Sequence, residues 1–197
     1  MSTPPAASPG RPRDPRVEGA VRAAVLALLV EGGYEAVSFK EVALRAGVGQ
    51  PTVYRRWGTK AELVEFAIFA VSEWSPPEPT GDLEADLARL ADVVLEELLT
   101  PPVHAALPGL ILAHYDAPDE HTRLRAWAEE PVLAAFTGAV EAAGLGGEVS
   151  PDDVRAAFEH FLAALTFTAM TRDRPTARLM ARNAARITDR ALQGLVS

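Results

Sequence analysis

The sequence predicts an all-α chain of about nine helices, and three observations carry that expectation. Apolar residues recur at three- and four-residue spacing along most of the 197 residues, the period of one helix face. Hydroxyl and carboxylate residues stand where helices should begin, and glycines and prolines where they should end. No stretch alternates apolar and polar residues as a half-buried strand would, and no internal repeat is visible.

Taken in order, residues 1–13 are rich in Pro, Ala and Ser and are expected to be disordered. From Arg16, the residues Val17, Val21, Ala24, Val25, Leu28 and Leu29 describe one helix face. Gly32-Gly33 should stop that helix, because glycine adopts the left-handed cap without strain. Ser38 opens the next helix as an N-cap, with Glu41 three residues on to complete a capping box. It runs to Ala46, Gly47-Val48-Gly49 makes a turn, and a short helix follows through Trp57. Thr59 and Glu62 repeat the start signal for a helix that carries Leu63, Phe66, Ala67 and Ala70 on one face and reaches about Trp74. Ser75-Pro-Pro-Glu-Pro-Thr-Gly81 reads as a stiff linker. Four helices are expected over 82–99, 104–116, 120–143 and 151–171, punctuated by Pro101-Pro102, Pro118 and Gly144–Gly147. A last helix begins at Pro175, a residue suited to the first helical turn, and runs to about 194.

Composition removes several classes of function. Apolar residues at 48% allow a sizeable core, and 23% charged residues are ordinary for a soluble chain. With no cysteine there can be no disulfide, thiolate metal site or cysteine nucleophile. The N-terminal residues lack the apolar stretch of a signal peptide. The longest apolar run, Phe161–Met170, is too short to span a bilayer and carries Thr166 and Thr168. A cytoplasmic protein with no membrane partner is expected. His104, His114, His121 and His160 have no metal-ligand spacing, so neither metal nor cofactor is expected. No nucleophile–base pair, phosphate-binding glycine loop or paired-carboxylate motif argues for an enzyme.

Charge is unevenly distributed. Residues 1–60 hold nine basic residues against five acids and stand at +4, which leaves −12 of the chain's net −8 for the remainder. A basic head on an acidic body can hold a polyanion by the head alone.

The informative stretch is Ser38 to Lys60. Two short helices joined by a three-residue turn containing glycine make a helix-turn-helix. Ala43 is small where the helices cross, Gly47 permits the positive φ of the turn, and Val42, Val48 and Val53 form the seam. Trp57, four residues beyond Val53, should anchor the short helix. Gln50, Pro51, Thr52, Tyr54, Arg55 and Arg56 are then left outward. Such a face suits the major groove, where Arg reads guanine and Gln reads adenine. Double-stranded DNA is therefore the expected partner.

The segment Ala46-Gly-Val-Gly-Gln-Pro-Thr-Val-Tyr-Arg-Arg-Trp-Gly-Thr-Lys-Ala-Glu-Leu63 resembles the signature of the TetR/AcrR family of transcriptional regulators, a likeness that covers about residues 16–65. The resemblance implies base contacts for Gln50, Pro51 and Arg56, and phosphate contacts for Thr52, Tyr54 and Lys60. Lys40 matches a position that reads a base from the groove edge. Arg55 stands where a family member has an aromatic, and a phosphate contact is expected of it. The implied organisation is a disordered basic arm over 1–13, an N-terminal three-helix helix-turn-helix DNA-binding domain over 14–60, and a C-terminal helical bundle for ligand binding and dimerisation over 61–197. The implied function is a repressor released from its operator by a small molecule. The alternatives are a constitutive DNA-binding protein without ligand and an all-helical enzyme with a basic N-terminal module.

Further expectations follow. Arg11 and Arg13 in Gly10-Arg-Pro-Arg13 resemble a minor-groove hook. A pocket for a small apolar or aromatic ligand is expected near His114, Tyr115 and Trp127, with Phe66 and Phe69 as further walls. Arg178, Arg182, Arg186 and Arg190 recur every four residues and read as a solvated helix face. A homodimer is expected, because a pseudo-palindromic operator needs two recognition helices about 34–36 Å apart. The helix over 151–171 is apolar almost all round, and Phe158, Phe161, Leu162, Ala164 and Leu165 are expected in its interface. Ile187 and Leu192 of the last helix join them, to build a four-helix bundle from two copies.

Overall fold

The computed structural model describes residues 15–69, 75–116 and 118–196, with the side chains of 114, 116 and 118–128 excepted. Arg11 and Arg13 lie outside the described residues, as do the side chains of His114 and Trp127. All regular structure among the described residues is helical: α1 (Pro15–Ala36), α2 (Phe39–Ala46), α3 (Gln50–Arg56), α4 (Lys60–Phe69), α5 (Leu83–Leu98), α6 (Pro101–Asp116), α7 (Pro118–Ala142), α8 (Pro151–Thr171) and α9 (Arg174–Leu195). Within them, no helix is long and apolar enough to cross a membrane.

The start and stop signals act largely where expected. Ser38, Asp82, Ser150 and Asp173 each cap a helix by accepting a backbone N–H three residues on. Gly32 and Gly33 interrupt α1 with non-helical backbone, Gly33 at φ 68°, so that residues 34–36 form a separate short turn. The prolines depart from expectation. Pro101 and Pro102 lie in the first turn of α6 instead of before it, where a missing N–H costs nothing. Pro108 and Pro131 lie inside α6 and α7.

The helices enclose two apolar cores. One joins α1–α4 to the inner half of α6 through Val103, Ala106, Leu107 and Leu110. The expected boundary at residue 60 falls inside this cluster, since Ala61, Leu63, Val64, Ala67 and Ile68 of α4 are buried in it. The other core is built from α5, α7, α8 and α9. The linker before α5 is tied down by Asp86, which is 3% exposed. Its carboxylate accepts the N–H and hydroxyl of Thr80, the N–H of Gly81 and the guanidinium of Arg89. Burial alone would raise this carboxyl's pKa, but those donors outweigh it and hold it below the ordinary aspartate value.

One expectation about α8 and α9 is corrected. Phe158, Phe161, Leu165 and Leu192 are at most 1% exposed within a single protomer, because α5, α7 and α9 already cover the face of α8 that bears the phenylalanines. They cannot meet a second copy. Leu162 and Ala164 are half-buried, whereas Ile187 is 61% exposed. Arg178, Arg182 and Arg190 are exposed, as expected, whereas Arg186 is half-buried, and several arginines of α9 also pair with acids of α5. Arg174 and Arg178 reach Glu96 at 3.3 and 2.7 Å, and Arg182 reaches Asp92 at 3.5 Å.

Candidate nucleic-acid interface

The turn between α2 and α3 is built by backbone geometry. Gly47 sits at φ 65°, and its N–H reaches the carbonyls of Ala43 and Leu44 that α2 leaves open. The N–H of Val48 bonds to Ala43 O at 3.0 Å. Val42 and Val53 are fully buried, Trp57 is 8% exposed and Val48 is half-buried. The seam is the one the residue pattern implies. Phe66 stacks on Trp57 with ring centroids 4.8 Å apart, a contact that occupies it in the head.

With Val53 and Trp57 inward, Gln50, Pro51, Tyr54 and Arg55 form an exposed strip along α3. Thr52 is half-buried at its flank, and Lys40 is exposed near the start of α2. The Tyr54 ring rests against Phe39, centroids 5.1 Å apart, with the residue 60% exposed. Arg56 is placed differently. Its side chain is 22% exposed and its guanidinium lies 3.6 Å from the Glu18 carboxylate of α1.

Lys60 opens α4. Its backbone is fixed by a complete capping box, in which Thr59 Oγ1 accepts the Glu62 N–H and the Glu62 carboxylate accepts the Thr59 N–H, both at 3.1 Å. Its Nζ lies 4.2 Å from the centre of the Tyr34 ring and 3.5 Å from the Glu35 carboxylate. Burial, and then the charges of Glu65 and Glu35, raise the Tyr34 phenol above its ordinary value.

The head is braced by pairs that local reading did not find. Arg45 of α2 makes a two-pronged pair with Glu31 of α1, both bonds 2.6 Å, and the bond to Arg45 lowers the Glu31 pKa. Arg22 Nε donates to Ala67 O at 2.9 Å and ties α1 to α4. Each joins residues at least 14 positions apart, with no local pattern to announce it.

The expected pocket residues do not gather in what is described. Phe66 and Phe69 pack against the core of the head, while Tyr115 is 83% exposed on α6. A cleft of about 600 Å³ lies elsewhere, between α5 and the start of α9. Asp92, Glu96, Glu97 and Arg174 are among its lining residues, and Phe66, Phe69 and Tyr115 are not.

Comparison with known proteins matches both halves of the chain. Residues 21–67 match the model of bacterial regulatory proteins, tetR family, and residues 77–190 match that of the tetracyclin repressor-like C-terminal domain. An uncharacterised HTH-type transcriptional regulator of Mycobacterium bovis is 40% identical over 93 residues, 45% of this chain. The match spans about half of that relative's length, 46%. The DNA-binding transcriptional repressor TetR of Mycobacteroides abscessus is 30% identical over 137 residues, covering 68% of this chain and 70% of that protein. Among solved structures, a TetR transcriptional regulator from Agrobacterium tumefaciens superposes with a TM-score of 0.59 at 22% identity, covering 91% of this chain and 95% of the other. A regulator of the same kind from a Rhodococcus species gives 0.59 at 20%, covering 88% and 96%. At these identities the structures show a shared fold.

Proposed function

Because the chain belongs to the TetR family of bacterial regulatory proteins, we propose that it is a cytoplasmic repressor that holds a pseudo-palindromic operator as a homodimer and releases it when a small molecule binds the body. The observation that carries this reading is the exposed strip Gln50, Pro51, Tyr54 and Arg55 on a helix whose opposite face is locked by Val53 and Trp57. Gln50 and Arg55 offer donors to base edges, Tyr54 and Thr52 offer hydroxyls to phosphates, and Lys60 and Lys40 add charge at the flanks. Arg56 reads a base once it leaves Glu18, and Arg11 and Arg13 follow the adjacent minor groove.

The dimer forms along the outer surfaces of α8 and α9. Phe167, Leu179, Ile187 and Leu195 are between 56 and 63% exposed there, more apolar area than a solitary helix pair favours in water. The ligand is small and apolar or aromatic, as is usual for pockets between helices.

The reading is tested by protecting genomic fragments with the pure protein and measuring affinity for the protected site against salt. A symmetric footprint is expected, with affinity that falls steeply as salt rises through counterion release. Affinity that is equal for all sequences would remove the operator-specific reading. A melting scan against a small-molecule library then tests ligand binding, which raises the melting temperature by mass action.

A further inference from the structure

Lys60 is held in an unusual way for a surface lysine. It pairs with the Glu35 carboxylate, 90% exposed at the side chain and 3.5 Å away, a contact that water and salt screen readily. The Tyr34 ring, 4.2 Å from Nζ and half-buried, is the firmer neighbour. A ring face attracts an ammonium through its quadrupole and leaves the N–H donors free for other acceptors. The ring itself cannot drift. Tyr34 follows Gly33 at φ 68°, and its carbonyl accepts the Val37 N–H at 3.2 Å. Its side chain lies against the bare backbone of Gly109 in α6, where a Cβ would overlap the ring atoms. One aromatic side chain thus touches the body helix α6 on one side and the first residue of α4 on the other.

We infer that Tyr34 is a positioning residue for Lys60, and that its seat on Gly109 makes the reach of that lysine depend on where α6 stands. The inference rests on the reading of Lys60 as a phosphate contact. With the ring in place, the ammonium is held within a small region in front of the head, with one hydrogen bond to the exposed Glu35 carboxylate at 3.5 Å and its other donors available to a phosphate. Without the ring, the four-carbon stem samples all its rotamers and the screened pair with Glu35 is the contact that remains. The hydroxyl of Tyr34 has no part in this, so phenylalanine replaces tyrosine without loss.

The test measures operator affinity of the full chain from 50 to 300 mM salt for Lys60→Ala, Tyr34→Leu, Tyr34→Phe, Gly109→Ala and the Tyr34→Leu/Lys60→Ala double variant, on a grid of about six salt concentrations chosen so the slope is resolved. Lys60→Ala is expected to lower the slope of log affinity against log salt by about 0.9 per subunit. Tyr34→Leu and Gly109→Ala lower it by at least half as much and weaken binding about 2- to 5-fold at 0.1 M salt. Tyr34→Phe keeps the slope, and the double variant matches Lys60→Ala alone, as expected for two residues acting through one contact. A proton spectrum gives a readout that stands even if Tyr34→Leu fails to fold: the Lys60 ε-methylene protons of the wild type and of Tyr34→Phe lie upfield from ring current. If Lys60→Ala lowers the slope while Tyr34→Leu leaves it unchanged, or if the methylene protons resonate at their ordinary position, the positioning role is overturned and the phosphate reading survives. If Lys60→Ala itself leaves the slope unchanged, both are overturned.

Discussion

Arg56 at the end of α3 faces Glu18 of α1 across 3.6 Å, so the last cation of the outward helix is drawn back toward the head in the free protein. Its neighbour Arg55 is exposed on the outward strip. Adjacent arginines on one helix therefore begin from different states. One is ready in solution, and the other must first part from a carboxylate.

Glu18→Gln is accordingly expected to tighten operator binding about 1.5- to 5-fold, the range implied by the ~0.2–1 kcal/mol of a partly exposed ion pair. The gain should vanish in an Arg56→Ala background. Arg56→Ala alone should cost about 1–3 kcal/mol on the operator and relax preference at one base pair per half-site. Binding to a panel of single-substitution operators measures both. An equal gain from Glu18→Gln with and without Arg56 would sever the link between the two residues.

Local residue chemistry made most of the head legible and little of its bracing. Ser38, Thr59 with Glu62 and Gly47 announce starts and a turn within three residues of themselves and act there, whereas of the Ser38–Glu41 capping box the bond that the structure shows is the one from the Glu41 N–H to the Ser38 hydroxyl. Val53 and Trp57 share a face by helical period alone. Glu18, Glu31 and Tyr34 carry no such signal, because their partners are 14 or more positions away. The apolar pattern of α8 was readable, but burial against α5, α7 and α9 and burial against a second copy leave the same pattern in sequence. Only packing separates Phe161 from Phe167, at 1% and 60% exposure.

That separation yields opposite outcomes for two substitutions. Ile187→Asp, on the outer surface of α9, should give a folded monomer by sedimentation, with helical circular dichroism unchanged. Phe161→Ala, in the core, should instead cost about 3–5 kcal/mol of stability, read from the denaturation midpoint, with any dimer that survives intact. A dimeric Ile187→Asp protein would move the interface elsewhere.

Asp86 sets a pH dependence on stability. Its folded-state pKa lies below the ordinary aspartate value, so its contribution is complete above about pH 4 and is lost as the pH falls through the lower folded value. Asp86→Asn should cost about 1.5–3 kcal/mol at neutral pH, the range for hydrogen bonds to a charged group. The gap from wild type should narrow below pH 4. Thermal unfolding at pH 7 and pH 3 measures this, and a gap of constant size would exclude Asp86 as the titrating group.

Thr59→Ala removes half of the capping box at the start of α4. A loss of about 0.5–2 kcal/mol is expected, checked by urea unfolding. Thr59→Ser should recover most of it, because the serine hydroxyl can accept the same N–H.

Pro108 stands immediately before Gly109 in α6. Its nitrogen carries no hydrogen for the carbonyl of His104 four residues back, so the ladder of α6 misses a rung beside the ring of Tyr34. On the inner side of the gap, Val103, Ala106 and Leu107 are clamped in the core of the head; beyond it, Leu110 and Ala113 still pack against that core, whereas Ile111, Leu112 and Tyr115 are 46 to 83% exposed. A rod missing a rung bends there first. Amide hydrogens around Ile111 to Tyr115 are therefore expected to exchange with solvent ahead of those in α1, as in a looser arm on a fixed stub, which hydrogen exchange would read residue by residue.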